Sequence, residues 1–181
     1  ASPYAIGKPQ LRDRMLSASA RNHGVAIAYV NLVGGNDSLV FDGHSAAYAR
    51  DGARLAFATG FREEVVLVDL DGAPAAEPPA PAEPESEEEL DELLEALVAG
   101  TRDYARKTGF GTGLVGMSGG IDSSLTAVIA ARAFGPENVL GVAMPSRYTA
   151  DISTEDARTL SGRLGIRFLV LPIEPMFCAF L

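Results

Sequence analysis

The chain has a single cysteine, no long apolar run and no excess of base, and each shortage removes a class of protein. Cys178 has no second cysteine with which to form an internal disulfide, which suits a reducing compartment. No apolar run approaches the roughly 18 to 20 residues that span a bilayer. The N-terminus lacks the basic, then apolar, then small-residue order of a secretion signal. A cytoplasmic protein with no membrane partner is therefore expected. The two histidines, His23 and His44, have no cysteine or histidine partner at metal spacing, so no zinc site is indicated. The formal charge of -9 is local: nine acids and no base lie between residues 73 and 95, and elsewhere 15 acids face 15 bases. That balance leaves no basic footprint for nucleic acid.

What is present suits a folded core. The 181 residues are 47% hydrophobic and 7% aromatic, enough for one ordinary domain or two partial ones. The chain opens on Ala1-Ser2-Pro3-Tyr4 rather than Met and stops at Leu181 after a strand-like run, so it is expected to be the central part of a longer one. Residues 73–89, APAAEPPAPAEPESEEE, hold five Pro, six Glu and five Ala with no aromatic or β-branched residue. Such a stretch buries too little apolar surface to offset its ordering entropy, and it reads as an extended, charged linker between domains at 1–72 and 90–181.

Ahead of the linker, Leu11, Met15 and Leu16 predict a helix that Gly24 ends. Val25 to Val30 read as a buried strand, and Asp51-Gly52 between two apolar runs as a hairpin. Val65 to Val68 read as a last strand. Tyr29 and Phe57 read as core. Beyond the linker, Ser86 and Glu89 form an S-x-x-E capping box. Leu90, Leu93, Leu94, Leu97, Val98 and Tyr104 then mark an apolar helix face that runs on to Gly109. Strands at Leu114–Met117, Val139–Met144 and Phe168–Leu171 alternate with helices over about 122–134 and 154–164. That alternation predicts an α/β fold with a parallel sheet and right-handed crossovers.

The chemistry concentrates at Ser118-Gly119-Gly120-Ile121-Asp122-Ser123-Ser124, a turn from a strand into a helix. Ligands in open α/β sheets bind at that end of the strands. Gly119 and Gly120 let main-chain N–H groups close on an anion, the following helix adds unpaired N–H groups and partial positive charge, and three serines add hydroxyls. Asp122 would repel a polyphosphate unless a cation stood between them. Mg²⁺ held by one carboxylate and substrate phosphates supplies one; an N-cap role is the alternative for Asp122. Two decoys fail. Gly111-Thr112-Gly113-Leu114-Val115-Gly116 fits G-x-G-x-x-G, but its strand lies inside the motif. A P-loop beginning at Gly111 would put Met117 at the lysine position. Arg147 is open between phosphate partner and surface arginine. Cys178, Met144 and Met176 read as apolar packing groups.

The turn resembles the S-G-G-x-D-S signature of the ATP pyrophosphatases, which cleave ATP between its α- and β-phosphates, usually to adenylate an oxygen that a nitrogen nucleophile then attacks. Several families share it, so it implies a reaction type and not a substrate. NVLGVAMPSRY at 138–148 and EDARTLSGRLGIRFLVLPIE at 155–174 look like the segments that follow the turn in NAD synthetases. ASPYAIGK at 1–8 and VNLVGGNDSLVFDG from Val30 resemble the nitrilase-like glutaminase domain of glutamine-dependent NAD synthetases, with Asn36 and Ser38 in place of the Gln and Glu expected there.

This resemblance implies the C-terminal part of a nitrilase-like αββα domain, then the start of a Rossmann-like, adenine nucleotide alpha hydrolase-like synthetase domain. It implies ATP binding by Gly116, Met117, Ser118, Gly119, Gly120, Ile121, Asp122 and Ser123, with Asp122 on Mg²⁺. It places Ser2 and Lys8 on L-glutamine. The Cys-Glu-Lys glutaminase set would lie outside this chain. The implied reaction is amidation of deamido-NAD by ammonia from glutamine through an acyl-adenylate, in a homo-oligomer. Two other readings stay open: a non-catalytic assembly module, and another amide-forming synthetase.

Overall fold

The computed structural model describes residues 1–72, 80–83 and 86–180. The chain forms two compact units, Ala1–Asp103 and Tyr104–Leu181. The division falls inside one helix, later than residue 90, where the sequence opens its second domain. Most of the expected linker lies outside the described residues. Of the rest, Pro81 is buried and Glu87 to Glu89 already belong to the helix.

The first unit opens with α1 (Lys8–His23), which ends at Gly24 as expected. Three short antiparallel strands follow: β1 (Ile27–Tyr29), β4 (Ala46–Tyr48) and β5 (Arg54–Phe57), in the order β1-β4-β5. The β4–β5 pair is the expected hairpin, with an irregularity between Ala47 and Tyr48. A separate hairpin joins β2 (Val33–Asn36) to β3 (Leu39–Asp42). Ala20, Ala46 and Tyr48 form a small core with Leu16, Ile27 and Phe57. Two expectations are corrected. β1 is only half-buried, with Val25 and Val30 exposed, and Tyr29 is half-buried as well. Val65 to Val68 form no strand, and Val65 and Leu67 are more than 90% exposed. β-branched content gives propensity, but a strand needs a neighbour to pair with.

α2 (Glu87–Thr108) begins with Ser86 Oγ accepting the N–H of Glu89 at 3.1 Å, the capping contact that the sequence promises. Its buried residues are not the large ones. Leu90, Leu97 and Tyr104 are exposed, whereas Ala96, Val98, Ala99 and Ala105 are buried. Ala96 and Ala99 pack with Phe61, Tyr4 and Val40, and one turn on, at Gly100, the β2–β3 hairpin comes close. The Gly35 N–H donates to Asp103 Oδ2 at 2.8 Å, and a methyl group on Gly35 would meet the Gly100 Cα at 3.1 Å. At Gly100 hairpin and helix approach backbone to backbone, leaving no room there for leucine.

The second unit is the expected alternating α/β layer. Parallel strands β6 (Gly113–Gly116), β7 (Val139–Ala143) and β8 (Arg167–Val170) lie in that order, joined through α3 (Ile121–Phe134) and α4 (Asp151–Leu164). Val115, Met117, Ala127, Ala130, Ala131, Val139, Ala157 and Ile166 form its core. A short terminal helix, α5 (Glu174–Phe180), has no counterpart in the sequence expectations. Among the described residues no helix is long and apolar enough to cross a membrane.

Candidate functional site

The turn between β6 and α3 sits at the carboxyl ends of the parallel strands, and it is open. Ser118, Gly120, Ile121 and Asp122 are exposed. Met117 lies buried beneath them, its N–H donating to Val142 O at 2.8 Å and extending the ladder by one rung. The serines knit the turn together. Ser123 Oγ accepts the Ser118 N–H at 3.2 Å, donates to Gly120 O at 3.0 Å and lies 3.0 Å from Ser118 Oγ. Ser124 donates both its N–H and its hydroxyl to Gly120 O, at 3.1 and 2.8 Å. Their hydroxyls therefore shape the turn in this state.

The main-chain donors are the available groups. Among the described residues, the N–H groups of Gly119, Ile121, Asp122 and Ser123 meet no protein acceptor. They lie at a helix start, where such groups and the aligned peptide dipoles favour an anion. Gly119 is required by two constraints at once. Its φ is 81°, and a Cβ there would lie 2.3 Å from the Ser153 carbonyl oxygen on α4.

Beside the turn is a cavity of about 300 Å³ lined by Gly116, Met117, Ser118, Ala143, Met144, Pro145, Thr149 and Thr154. Of the run expected at the site, Gly116, Met117 and Ser118 line this opening, and Gly119 to Ser123 continue from it through the turn into α3. Met144, expected in the core, is half-exposed on the cavity wall, and Met176 is also exposed. Thr149 and Thr154 carry no local signal in the sequence; they reach the cavity only because α4 follows β7. Asp122 is exposed in the first turn of α3. Among the described residues no three His, Cys, Asp or Glu side chains gather as a metal cage. A cation here would need ligands besides protein carboxylates, and phosphate oxygens with water supply them for Mg²⁺.

Arg147 is committed elsewhere, to Glu174 and Cys178, and Cys178 is exposed rather than packed inside. The sequence reads Cys178 as an apolar packing group, but α5 carries it at the surface.

Ser2 and Lys8 stand together in the first unit. Ser2 exchanges main-chain bonds with the Asn31 amide, at 2.8 and 3.0 Å, and Lys8 Nζ donates to the adjacent Pro3 O at 2.7 Å. An ammonium has three donors, so this contact leaves others for a carboxylate.

Behind Asn31 lies a buried network that sequence reasoning missed. The Arg12 guanidinium forks onto Asp42 at 2.5 and 3.3 Å. Asn31 Nδ2 reaches Asp42 Oδ1 at 3.0 Å, and His44 Nδ1 lies 2.9 Å from Oδ2. The other ring nitrogen of His44 is 3.6 Å from Glu92 Oε1 on α2. Burial pushes the Asp42 carboxyl up, but hydrogen bonds from His44 and Arg12 and the Arg12 charge outweigh it, holding the carboxyl below its ordinary value. Burial raises Glu92, with the charges of Asp42 and Glu89 adding to it against His44.

An open amide-lined turn at the carboxyl ends of a parallel sheet makes the second unit an α/β domain with the form of those that take ligands at that edge. Residues 93–181 match the NAD synthase family. The whole chain is 41% identical to the glutamine-dependent NAD(+) synthetase of Thermotoga maritima, covering 100% of this chain and 37% of that protein. It is 42% identical to the enzyme of that name from Synechocystis sp., over 99% of this chain and 32% of the relative. The solved glutamine-dependent NAD+ synthetase of Acinetobacter baumannii, in complex with ADP, superposes with a TM-score of 0.89 at 38% identity, over 99% of this chain and 34% of that one. Along its whole length the chain is similar to glutamine-dependent NAD synthetases, and it spans about a third of the length of the relatives it matches.

Proposed function

We propose that this chain supplies the ATP-phosphate turn and part of the glutamine site of a cytoplasmic, homo-oligomeric, glutamine-dependent NAD synthetase. The observation that carries the reading is the exposed turn, whose four unclaimed N–H groups sit beside a cavity in a chain about 40% identical to such synthetases. The turn receives the ATP phosphates and stabilises charge developing on the leaving pyrophosphate while the deamido-NAD carboxylate is adenylated. Asp122, the one carboxylate in the first turn of α3, would hold Mg²⁺ together with those phosphates. Bound there, the ion would neutralise phosphate charge. Ammonia freed from glutamine then attacks the acyl-adenylate, giving NAD, AMP and pyrophosphate. Lys8, with donors to spare, pairs with the glutamine α-carboxylate, and Ser2 stands beside it.

Two substitutions in the intact enzyme test the two halves separately. Asp122→Asn should reduce ATP affinity in Mg²⁺ to its metal-free level and stop AMP release; unchanged turnover removes Asp122 from the site. Lys8→Ala should raise the glutamine KM while ammonia-driven synthesis continues. Equal loss with both nitrogen sources would assign Lys8 to folding through its Pro3 contact.

A further inference from the structure

One carboxylate ties two distant stretches of the second unit together. Glu174 Oε2 accepts the main-chain N–H of Arg147 at 3.1 Å, and Oε1 accepts from Arg147 Nε at 2.5 Å and pairs with its terminal nitrogen. The same guanidinium lies 5.3 Å over the Phe177 ring and donates to Cys178 Sγ at 3.2 Å. Phe177 in turn meets Tyr148 edge-on at 5.9 Å. Main-chain bonds continue the seam, from Leu171 N to Ala143 O at 2.8 Å and from Ile173 N to Pro145 O at 3.1 Å. The stapled stretch also closes on itself, with Ser146 N donating to Thr149 Oγ1 and Thr149 N to Ser146 O, both at 3.0 Å.

That stretch is a wall of the cavity beside the phosphate turn: Ala143, Met144, Pro145 and Thr149 all line it. We propose that Glu174 is a positioning residue for the nucleotide, acting through Arg147 to hold the β7–α4 connection in the shape in which Pro145 and Thr149 bound that cavity. The role rests on reading the cavity as the place of ATP. Glu174 and Arg147 are 34% and 49% exposed, and solvent-exposed ion pairs add little to global stability. Three donors from one residue on one carboxylate therefore serve placement more than stability. The guanidinium holds the Glu174 carboxyl below its ordinary range, so the clamp is charged at neutral pH.

Two measurements on the intact protein test this. In the first, Mg²⁺-ATP is titrated calorimetrically into wild type, Glu174→Ala and Glu174→Gln. Alanine should weaken ATP by about tenfold, the scale of a small misplacement of a binding wall, while the melting temperature stays unchanged. Glutamine, which keeps an acceptor oxygen, should recover part of the loss. Equal affinity for wild type and alanine, or a loss that tracks melting temperature with no rescue by glutamine, overturns the role. In the second, without nucleotide, trypsin should cut after Arg147 faster in Glu174→Ala than in wild type; equal cleavage overturns the clamp itself. A wild type that fails to bind ATP but shows the cleavage difference overturns the nucleotide reading and leaves the clamp standing.

Discussion

The polar groups of the two units are arranged in opposite ways. In the first, Arg12, Asp42, Asn31 and His44 are buried and bonded to one another; Asp42 is fully buried and takes up three side chains. In the second, the N–H groups of the β6–α3 turn stand exposed, and four of them meet no protein acceptor among the described residues. A buried polar group left without a partner is costly, so the first arrangement is architecture. Exposed donors converging at a helix start are the arrangement that suits an anion. The contrast separates polar groups bonded to one another from polar groups left open to solvent.

Mutation should break that contrast unequally. The largest effect falls on the buried network. Arg12→Leu leaves the Asp42 carboxylate without its fork and should cost about 3–5 kcal/mol, read from the urea midpoint; a loss below 1 kcal/mol would make the network dispensable. Gly119→Ala comes next. Its positive φ alone should cost about 1–2 kcal/mol, and the clash with Ser153 should displace the turn and abolish ATP binding. Retained affinity would show that the turn does not hold the phosphates.

The smallest effect is on acid stability. The folded-state Asp42 carboxyl is depressed, so its contribution is present above the ordinary carboxylate range and is lost as pH falls through the folded value. Glu92 is raised, so its contribution has the opposite sign: present below that range and lost as pH rises through its folded value. Thermal melts from pH 6 downward, near and below the ordinary carboxylate value of about 4, should show a steeper loss in wild type than in Asp42→Asn. Parallel curves would remove Asp42 as the source.

The parts of the molecule that were legible in the sequence are those written in neighbouring residues. Gly24 after a helical run, Asp51-Gly52 between apolar runs, and glycines between β6 and α3 each act within a few positions. The network was not legible because Arg12 and Glu92 are far in the chain from Asp42 and His44, and only the fold brings Arg12 onto Asp42 and Glu92 beside His44. The α2 stripe misled for a physical reason: leucines at helical spacing predict burial only where the neighbour leaves room, and in the first unit the side filled by Phe61, Tyr4 and Val40 takes Ala96 and Ala99, with Gly100 against the β2–β3 backbone. Val65 to Val68 misled because intrinsic preference cannot provide a pairing edge. At the site, Gly116, Met117 and Ser118 line the cavity and the rest of the turn follows in sequence, but the walls given by Thr149 and Thr154, and the grip of Glu174 on Arg147, depend on which strand lies beside which.

The close approach of the β2–β3 hairpin to α2 supplies a natural clock. The Gly35 amide hydrogen is sealed between two backbones and held by the Asp103 carboxylate, so it can trade for deuterium only when the hairpin lifts from the helix. Its exchange lifetime therefore counts those openings one residue at a time, with no label attached to the protein.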